Sequence, residues 1–464
     1  MDVRDNDLER TDPHRPRDGH LLRFAYRVGL DATALAHDAA SAWRRWRKRP
    51  RIYPSHIPLA QRNRRSQPFD ELAGYTGVEK HRKVAQRFGF SDPFYQCHQS
   101  AHSPYIVVDG RTLVNFSAYD YLGLNGHPAV SAAAKAAIDA HGTSVSASRI
   151  VAGDIGLHRE LEAALADHYS TEAALIFVSG HATNVSTIAA VAEPGDLILY
   201  DEFAHNSIIV GARLSGATTI PFRHNNLASL RAQLECERPR HRNALIVVEG
   251  LYSMDGDTPD LRGLIDLKQR YGAWLMVDEA HAFGVLGATG RGIAEAASVD
   301  PRDVDIWMGT LSKALSACGG YICGSHALIE LLRFRAPGQV YSVGMSPPLA
   351  AAALAALKLA HAEPHRVQRL QENGRHFLRQ AHKLGLNTAT CEGFSVCPVM
   401  VGDIVRAGRM TDRMLKRGIY VLPIIYPAVP LKAARLRFFL TSAHTQNHID
   451  EAVRITADEL ARQS

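Results

Sequence analysis

The sequence predicts an α/β protein, with a large parallel-sheet domain followed by a smaller α+β C-terminal domain. Three observations predict it. From Leu157 onward, helical stretches alternate with short continuous apolar runs, the pattern of strands buried on both faces. After about residue 385, three short strands (396–401, 419–422 and 436–440) and a last helix (447–462) read as a separate α+β unit. A length of 464 residues suits a large domain with a smaller companion better than one core. The domains are therefore read as 1–95, an N-terminal extension; 96–384, an N-terminal segment plus the large domain; and 385–464, the small domain.

The elements follow in order. Residues 1–68 are rich in Arg, Asp and Pro, with apolar spacing at 20–48 that suits one or two helices, and 70–90 reads as a further short helix. Two β-rich runs within 105–116 flank Asp109-Gly110, a hairpin signal. A loop at 117–124 leads to a helix at 128–141, and 157–169 is the next helix. Strands are read at 173–178, 198–200, 245–248, at the start of 273–284, and before Thr310; an alanine-rich helix is read at 350–362.

Composition bounds the function. With 46% hydrophobic and 22% charged residues, the chain is ordinary for a folded soluble protein. No apolar run approaches the ~18 residues of a membrane span. The start of the chain lacks an apolar signal core, so secretion is not expected. Six cysteines without paired metal spacing suit a reduced, cytoplasmic setting and no metal. The net charge of +6 is uneven: residues 44–65 carry nine Lys or Arg and no acid, with Trp46 and Tyr53 interleaved. Nucleic acid or anionic lipid could meet such a patch, but no helix-turn-helix or zinc pattern accompanies it, so no nucleic-acid partner is expected. A solvated arm is the plain reading; a surface for an acidic protein lies between the two.

The chemistry concentrates between Asp305 and Gly324. A buried strand there ends in Thr310-Leu311-Ser312-Lys313, and glycines follow. One lysine among hydroxyls and small residues, with no acid within seven positions, can be desolvated into a neutral nucleophile, as a Schiff-base lysine must be. The segment alone fits an exposed lysine at a strand end equally well. Upstream, Asp278-Glu279-Ala280-His281 closes another buried strand with an acid and, three residues on, a histidine. Enzymes of pyridoxal 5'-phosphate (PLP) pair the pyridine nitrogen with an acid, so the two motifs together point to a PLP site. Ser179-Gly180-His181-Ala182-Thr183-Asn184 opens a helix after a strand and offers backbone N–H groups to a phosphate, although such turns are common. His205 sits in the loop after the next strand, where imidazole can stack on a pyridine ring, and Ser253 in Glu249–Asp257 can donate to the cofactor's 3-hydroxyl.

From about Asn115 to the C-terminus, these motifs resemble the α-oxoamine synthases, fold-type I PLP enzymes that include 8-amino-7-oxononanoate synthase, 5-aminolevulinate synthase, glycine C-acetyltransferase and serine palmitoyltransferase. The resemblance rests on Asn115–Leu124, Ser179–Asn184, Glu249–Asp257, Asp278–His281, Thr310–Lys313 and the stretch from Arg435-Leu436-Arg437 to Ala443-His444. It implies that Lys313 carries PLP, Asp278 faces the pyridine nitrogen and His205 stacks on the ring. His281 and Ser253 would meet the cofactor oxygen, Thr310 its phosphate, and Gly180 and His181 would give that phosphate backbone donors. Arg437 would bind the amino acid's carboxylate as a fork. A homodimer is implied, with the partner completing each site through Tyr341-Ser342-Val343-Gly344, where Val343 replaces the usual Thr or Asn and leaves the contact to Ser342 or backbone.

The implied reaction is a decarboxylative condensation of a small amino acid (glycine, alanine or serine) with an acyl thioester, acyl-CoA by default, giving an α-amino ketone. Tyr119 stands near the substrate, where aminolevulinate and oxononanoate synthases have Asn and serine palmitoyltransferase has Tyr. Residues 427–432 lack the family's frequent Thr-x-Pro-x-Gly, so the substrate loop closes differently. Gly142–Arg149, His181 and Ala204–Ser207 resemble a branch of secondary pathways that can use acyl carrier protein, which leaves that donor open. An aminotransferase would share Lys313 and Asp278, but the Asp278–His281 and Arg437 patterns favour the acyltransferase. A non-catalytic subunit would lack the lysine, and a PLP-like regulator would need an N-terminal DNA reader.

Overall fold

The computed structural model describes residues 66–90, 92–426, 428–430 and 432–462; the helices read at 20–48 and the basic run at 44–65 lie outside them. Val78–Ser464 forms one compact unit. The helix read at 70–90 forms as Ala73–Arg87, after a 3-10 turn at Phe69–Glu71.

The Asp109-Gly110 hairpin joins β2 (Tyr105–Val108) to β3 (Arg111–Asn115), with both residues of the turn at positive φ. Sequence reading missed β1 (His98–His102), which pairs with β2 and carries no apolar alternation.

The central sheet takes seven strands: β4 (Ala173–Phe177), β5 (Leu197–Asp201), β6 (Thr218–Phe222), β7 (Ala244–Glu249), β8 (Trp274–Asp278), β9 (Ile306–Thr310) and β10 (Gly320–Gly324). Their order is β4-β10-β9-β8-β7-β5-β6. The expected parallel sheet is corrected in one respect: β10 runs antiparallel to both of its neighbours. Its five residues lie between glycines and read as the tail of the lysine motif, yet they form a wholly buried strand. β6 was also missed; Pro221 interrupts its pattern, which is tolerated because β6 is an edge strand.

Helices cover both faces, which is why the central strands read as unbroken apolar runs. In β7, Ile246 and Val248 enter one core and Leu245 and Val247 the other. The alanine-rich helix Pro347–Ala362 buries seven alanine or proline side chains along with Leu354 and Leu357, and small side chains let it pack closely on Pro128–His141 and Gly156–His168. Gly272, at φ 58, ends the helix Leu261–Tyr271 in the left-handed conformation and turns the chain into β8.

A second sheet of β11 (Val396–Gly402), β13 (Pro423–Ile424) and β14 (Ala434–Phe439) is antiparallel, in the order β11-β14-β13. The strand read at 419–422 does not join it. Only Ile419–Tyr420 is extended as β12, and it pairs in parallel with β3. Pro423, which has no N–H for a ladder, marks the change of sheet. The loop after β3 is thus tied to C-terminal strands, through Phe116 N to Tyr420 O (2.8 Å) and Phe439 N to Phe116 O (2.8 Å). All six cysteines are free, and among the described residues no helix is long and apolar enough to cross a membrane.

Beneath the lysine strand, Gly309 leaves room for the ring of Tyr321 on β10, which fills the place a Cβ would take. Tyr321 in turn shares a 2.9 Å hydrogen bond with Tyr169, whose ring stacks on Trp307. Gly309→Ala should overpack this cluster and lower stability by ~1–3 kcal/mol, read as an earlier urea midpoint at unchanged slope. An unchanged midpoint would show that the strand gives way freely.

Candidate active site

The parallel strands point their C-terminal ends to one edge of the sheet, where ligands of open α/β sheets bind. A cavity of ≈ 380 Å³ opens there, lined by the turns after β4, β5, β7, β8 and β9 and by β14. Of the residues selected from sequence, Tyr119, Gly180, His181, His205, Ser253, Asp278, His281, Thr310, Lys313 and Arg437 all line it. Ser342 does not: it follows the helix Pro337–Val340, and its neighbour Gly344 bonds Ala147 O at 2.9 Å. A larger cavity of ≈ 490 Å³ lies at the opposite edge, among Trp274, Ile306 and Gly324, at the far end from the lysine.

Lys313 lies in the connection between β9 and the antiparallel β10. Burial lowers its pKa to about 8, reinforced by Arg437 and opposed by Asp278 and Glu249. Its Nζ stands 5.6 Å from the ring centre of Tyr119.

Asp278 ends β8 and is 4% exposed. Asn184 Nδ2 donates to its Oδ2 at 2.8 Å and Ala280 N to its Oδ1 at 2.9 Å, so the carboxylate is held by an amide and a backbone donor. Asn184 also donates to Ser207 Oγ at 3.0 Å. It was present in the Ser179–Asn184 motif but not singled out, because its partner lies 94 residues on.

His205 caps the helix Asn206–Ser215, with Nδ1 2.7 Å from Ser207 Oγ. Burial lowers its pKa, with Lys313, His181 and Arg437 adding to the effect against Asp278. Its backbone N donates to Glu249 Oε1 at 2.6 Å. Glu249, at the end of β7, was not selected from sequence; burial and the nearby Asp278 raise its pKa to about 8. His281 Nδ1 makes a 2.6 Å hydrogen bond with the hydroxyl of Tyr121, another residue passed over. Burial holds the pKa of His281 well below its ordinary value, with Lys313 and Arg437 acting the same way.

The helix Gly180–Val191 starts at the cavity, capped by Ser179 Oγ accepting from Ala182 N at 3.1 Å. The N–H groups of Gly180 and His181, in its first turn, have no acceptor within the helix. A Cβ at Gly180 would stand 3.0 Å from Thr310 Oγ1, so glycine keeps this cradle open. Thr310 Oγ1 donates to Gly319 O at 2.9 Å. Arg437, on β14, donates to Ser253 O at 2.8 Å, lies over Phe439 at 4.6 Å, and keeps a buried Nε without a hydrogen-bond partner.

This donor set suits PLP: an open helix N-terminus for a phosphate, a fixed carboxylate for a pyridinium, and an amine that loses its proton near neutrality. The fold and the site define a fold-type I PLP enzyme. The comparisons narrow that class. The family model for aminotransferase class I and II matches residues 111–455. An 8-amino-7-oxononanoate synthase of Methylobacterium nodulans is 45% identical over 341 residues, covering 74% of this chain and 85% of that one. The 8-amino-7-oxononanoate synthase 1 of Bacillus subtilis is 36% identical over 365 residues, covering 78% and 92%. The solved structure of serine palmitoyltransferase from S. paucimobilis aligns with a TM-score of 0.80 at 29% identity, over 84% of this chain and 98% of that one. The chain belongs to the class I and II aminotransferase family and, within it, to the α-oxoamine synthases, PLP-dependent acyltransferases that join an amino acid to an acyl thioester.

Because the Lys313 pKa is lowered to about 8, its neutral fraction grows between pH 7 and 9. Cofactor-free protein should therefore capture PLP faster as pH rises and level off above that pKa. Lys313→Ala should abolish the borohydride-reducible attachment, and a retained covalent adduct would place the attachment elsewhere.

Proposed function

We propose that the chain condenses glycine, alanine or serine with an acyl-CoA, releasing carbon dioxide and free thiol and leaving an α-amino ketone. The observation that carries this reading is Arg437, a guanidinium with an unpaired buried Nε in the same cavity as Lys313 and Asp278. A buried cation of that kind suits a carboxylate, and an amino acid presents one next to its reacting carbon.

Bound PLP supplies an electron sink for the negative charge that develops at the amino acid's Cα. Lys313 Nζ takes the Cα proton and later returns one to the product; a pKa of about 8 suits both directions. The Asp278 carboxylate, held by Asn184 and Ala280 N, keeps a proton on the facing ring nitrogen. His205, kept neutral by burial, would cover one side of the ring and orient the reacting group. His281 and Ser253 would hold the cofactor oxygen, and Gly180, His181 and Thr310 would hold the phosphate. Tyr119, 39% exposed at the cavity, meets the incoming substrate.

A homodimer completes the proposal, with Ser342 reaching the partner's cavity. Tyr341 is 87% and Val151 80% exposed, apolar surface that a second copy would cover.

Arg437→Ala removes a charged partner of the substrate, so amino-acid affinity should fall about ten- to a hundredfold while PLP stays bound. Direct titration with each amino acid checks this, and unchanged affinity would end the assignment. Accumulation of keto acid from the amino donor would instead mark an aminotransferase.

The basic run at 44–65 favours a second donor, an acyl carrier protein, since such carriers are generally acidic. If a carrier docks there, deleting residues 1–68 should slow turnover with acyl carrier and spare acyl-CoA. The difference should fade at 1 M salt, where the Debye length is roughly 3 Å. Equal loss with both donors would make the arm structural.

A further inference from the structure

His224 lies outside the cavity, just beyond β6, and has no part in the chemistry above. Its surroundings are nonetheless specific. Nδ1 is 2.9 Å from Asp201 Oδ1 and Nε2 is 3.1 Å from Asp257 Oδ2. Carboxylates accept only, so a ring bonded to one at each nitrogen carries both hydrogens and a positive charge. Burial alone would lower its pKa, but the hydrogen bonds and charges of Asp201 and Asp257 hold it up at about 10. The ring stacks on Phe203 at 4.4 Å and meets Tyr252 edge-on at 4.5 Å, so it is fixed in plane as well as in charge.

The two carboxylates belong to different loops. Asp201 ends β5 and starts the turn that carries His205, with its Oδ1 also accepting from Phe203 N at 2.8 Å. Asp257 closes the loop that carries Ser253. At their base, these loops are already joined by Glu249, which accepts from His205 N. At their outer end, His224 is the charged link between them, backed by Asn225 Nδ2 donating to Thr258 O at 3.1 Å.

We propose that His224 is a positioning residue: its imidazolium, clamped by Asp201 and Asp257, sets the separation of the His205 and Ser253 loops and hence the slot that receives the cofactor ring. The inference rests on the reading that His205 and Ser253 contact PLP. The far side of the Ser253 loop is anchored to β14, where Arg437 donates to Ser253 O and Arg435 Nη1 to Met254 O at 2.9 Å. Without His224 that loop keeps its hold on β14 and its base at Glu249, and loses the charged outer link to the His205 turn. The expected defect is therefore a loosened slot in a folded protein.

Full-length protein is stripped of cofactor and titrated with PLP by fluorescence, with its thermal midpoint measured alongside. The set comprises wild type, His205→Ala, Ser253→Ala, His224→Gln and the double variant His224→Gln with Ser253→Ala. His205→Ala and Ser253→Ala should each weaken PLP binding, and His224→Gln should weaken it about tenfold or more, the loss expected for a charged hydrogen-bonded link. The double variant should lose clearly less than the product of the two single losses, because both act through one contact. A lower midpoint with PLP affinity within about twofold of wild type would make His224 structural only and overturn the proposal, as would full additivity. If His205→Ala and Ser253→Ala leave PLP binding unchanged, the reading of those contacts fails and takes the proposal with it; intact single-variant effects with a silent His224→Gln refute the proposal alone. Should His224→Gln fail to fold, Asp257→Asn keeps the shape, removes one of the two anions and carries the same expectation.

Discussion

The site depends on keeping one carboxylate in place at the end of a buried strand. Asp278 is almost wholly enclosed, and enclosing an anion is expensive unless hydrogen bonds replace its water. Asn184 and the Ala280 amide do so, and each belongs to another piece of the site. Asn184 lies on the helix whose first turn lines the cavity, and Ala280 lies in the loop that carries His281. Fixing the anion therefore fixes the relation between the start of that helix, the end of β8 and His281. The amine across the cavity is tuned by the same enclosure, which favours its neutral form, while Asp278 and Glu249 limit the shift.

Much of this was legible because chemistry restricts which residues can stand at strand ends. A lysine after Thr310-Leu311-Ser312 and an acid before Glu279-Ala280-His281 need no partner to be noticed, and the cavity brings both together with Arg437. The residues passed over are those whose meaning lies in a distant partner. Asn184 matters through Asp278, Tyr121 through His281, and Glu249 through the backbone of His205. No local pattern encodes such pairings. The strands were found where burial on both faces produced continuous apolar runs, as in β7 and β9. They were missed where that signal was broken: by Pro221 in β6, by flanking glycines in β10, and by polar residues in β1.

The small sheet contributes more to the cavity than Arg437. β14 carries Arg435 and Arg437, which hold the Ser253 loop from one side, and its last residue bonds Phe116 at the start of the loop bearing Tyr119 and Tyr121. Two walls of the cavity are thus hung on strands that lie far along the chain from the lysine. The aromatic group of Tyr119, Tyr121, His281 and Phe439 gathers where these walls meet.

The pairing of β12 with β3 has a consequence for the protein as it is made. Ile419 lies opposite Val114, a separation of 419 − 114 = 305 residues. At ribosomal speeds of roughly 5–20 residues per second, the hairpin of β2 and β3 waits about 15–60 s for β12, the fourth strand of its sheet. During that interval β9, Lys313 and the helix Gly180–Val191 emerge, so a nascent chain holds most of the cavity's lining before Arg437 is made. In that window β3 lacks the strand that covers its outer edge, and an unpaired edge is a template for further strand pairing.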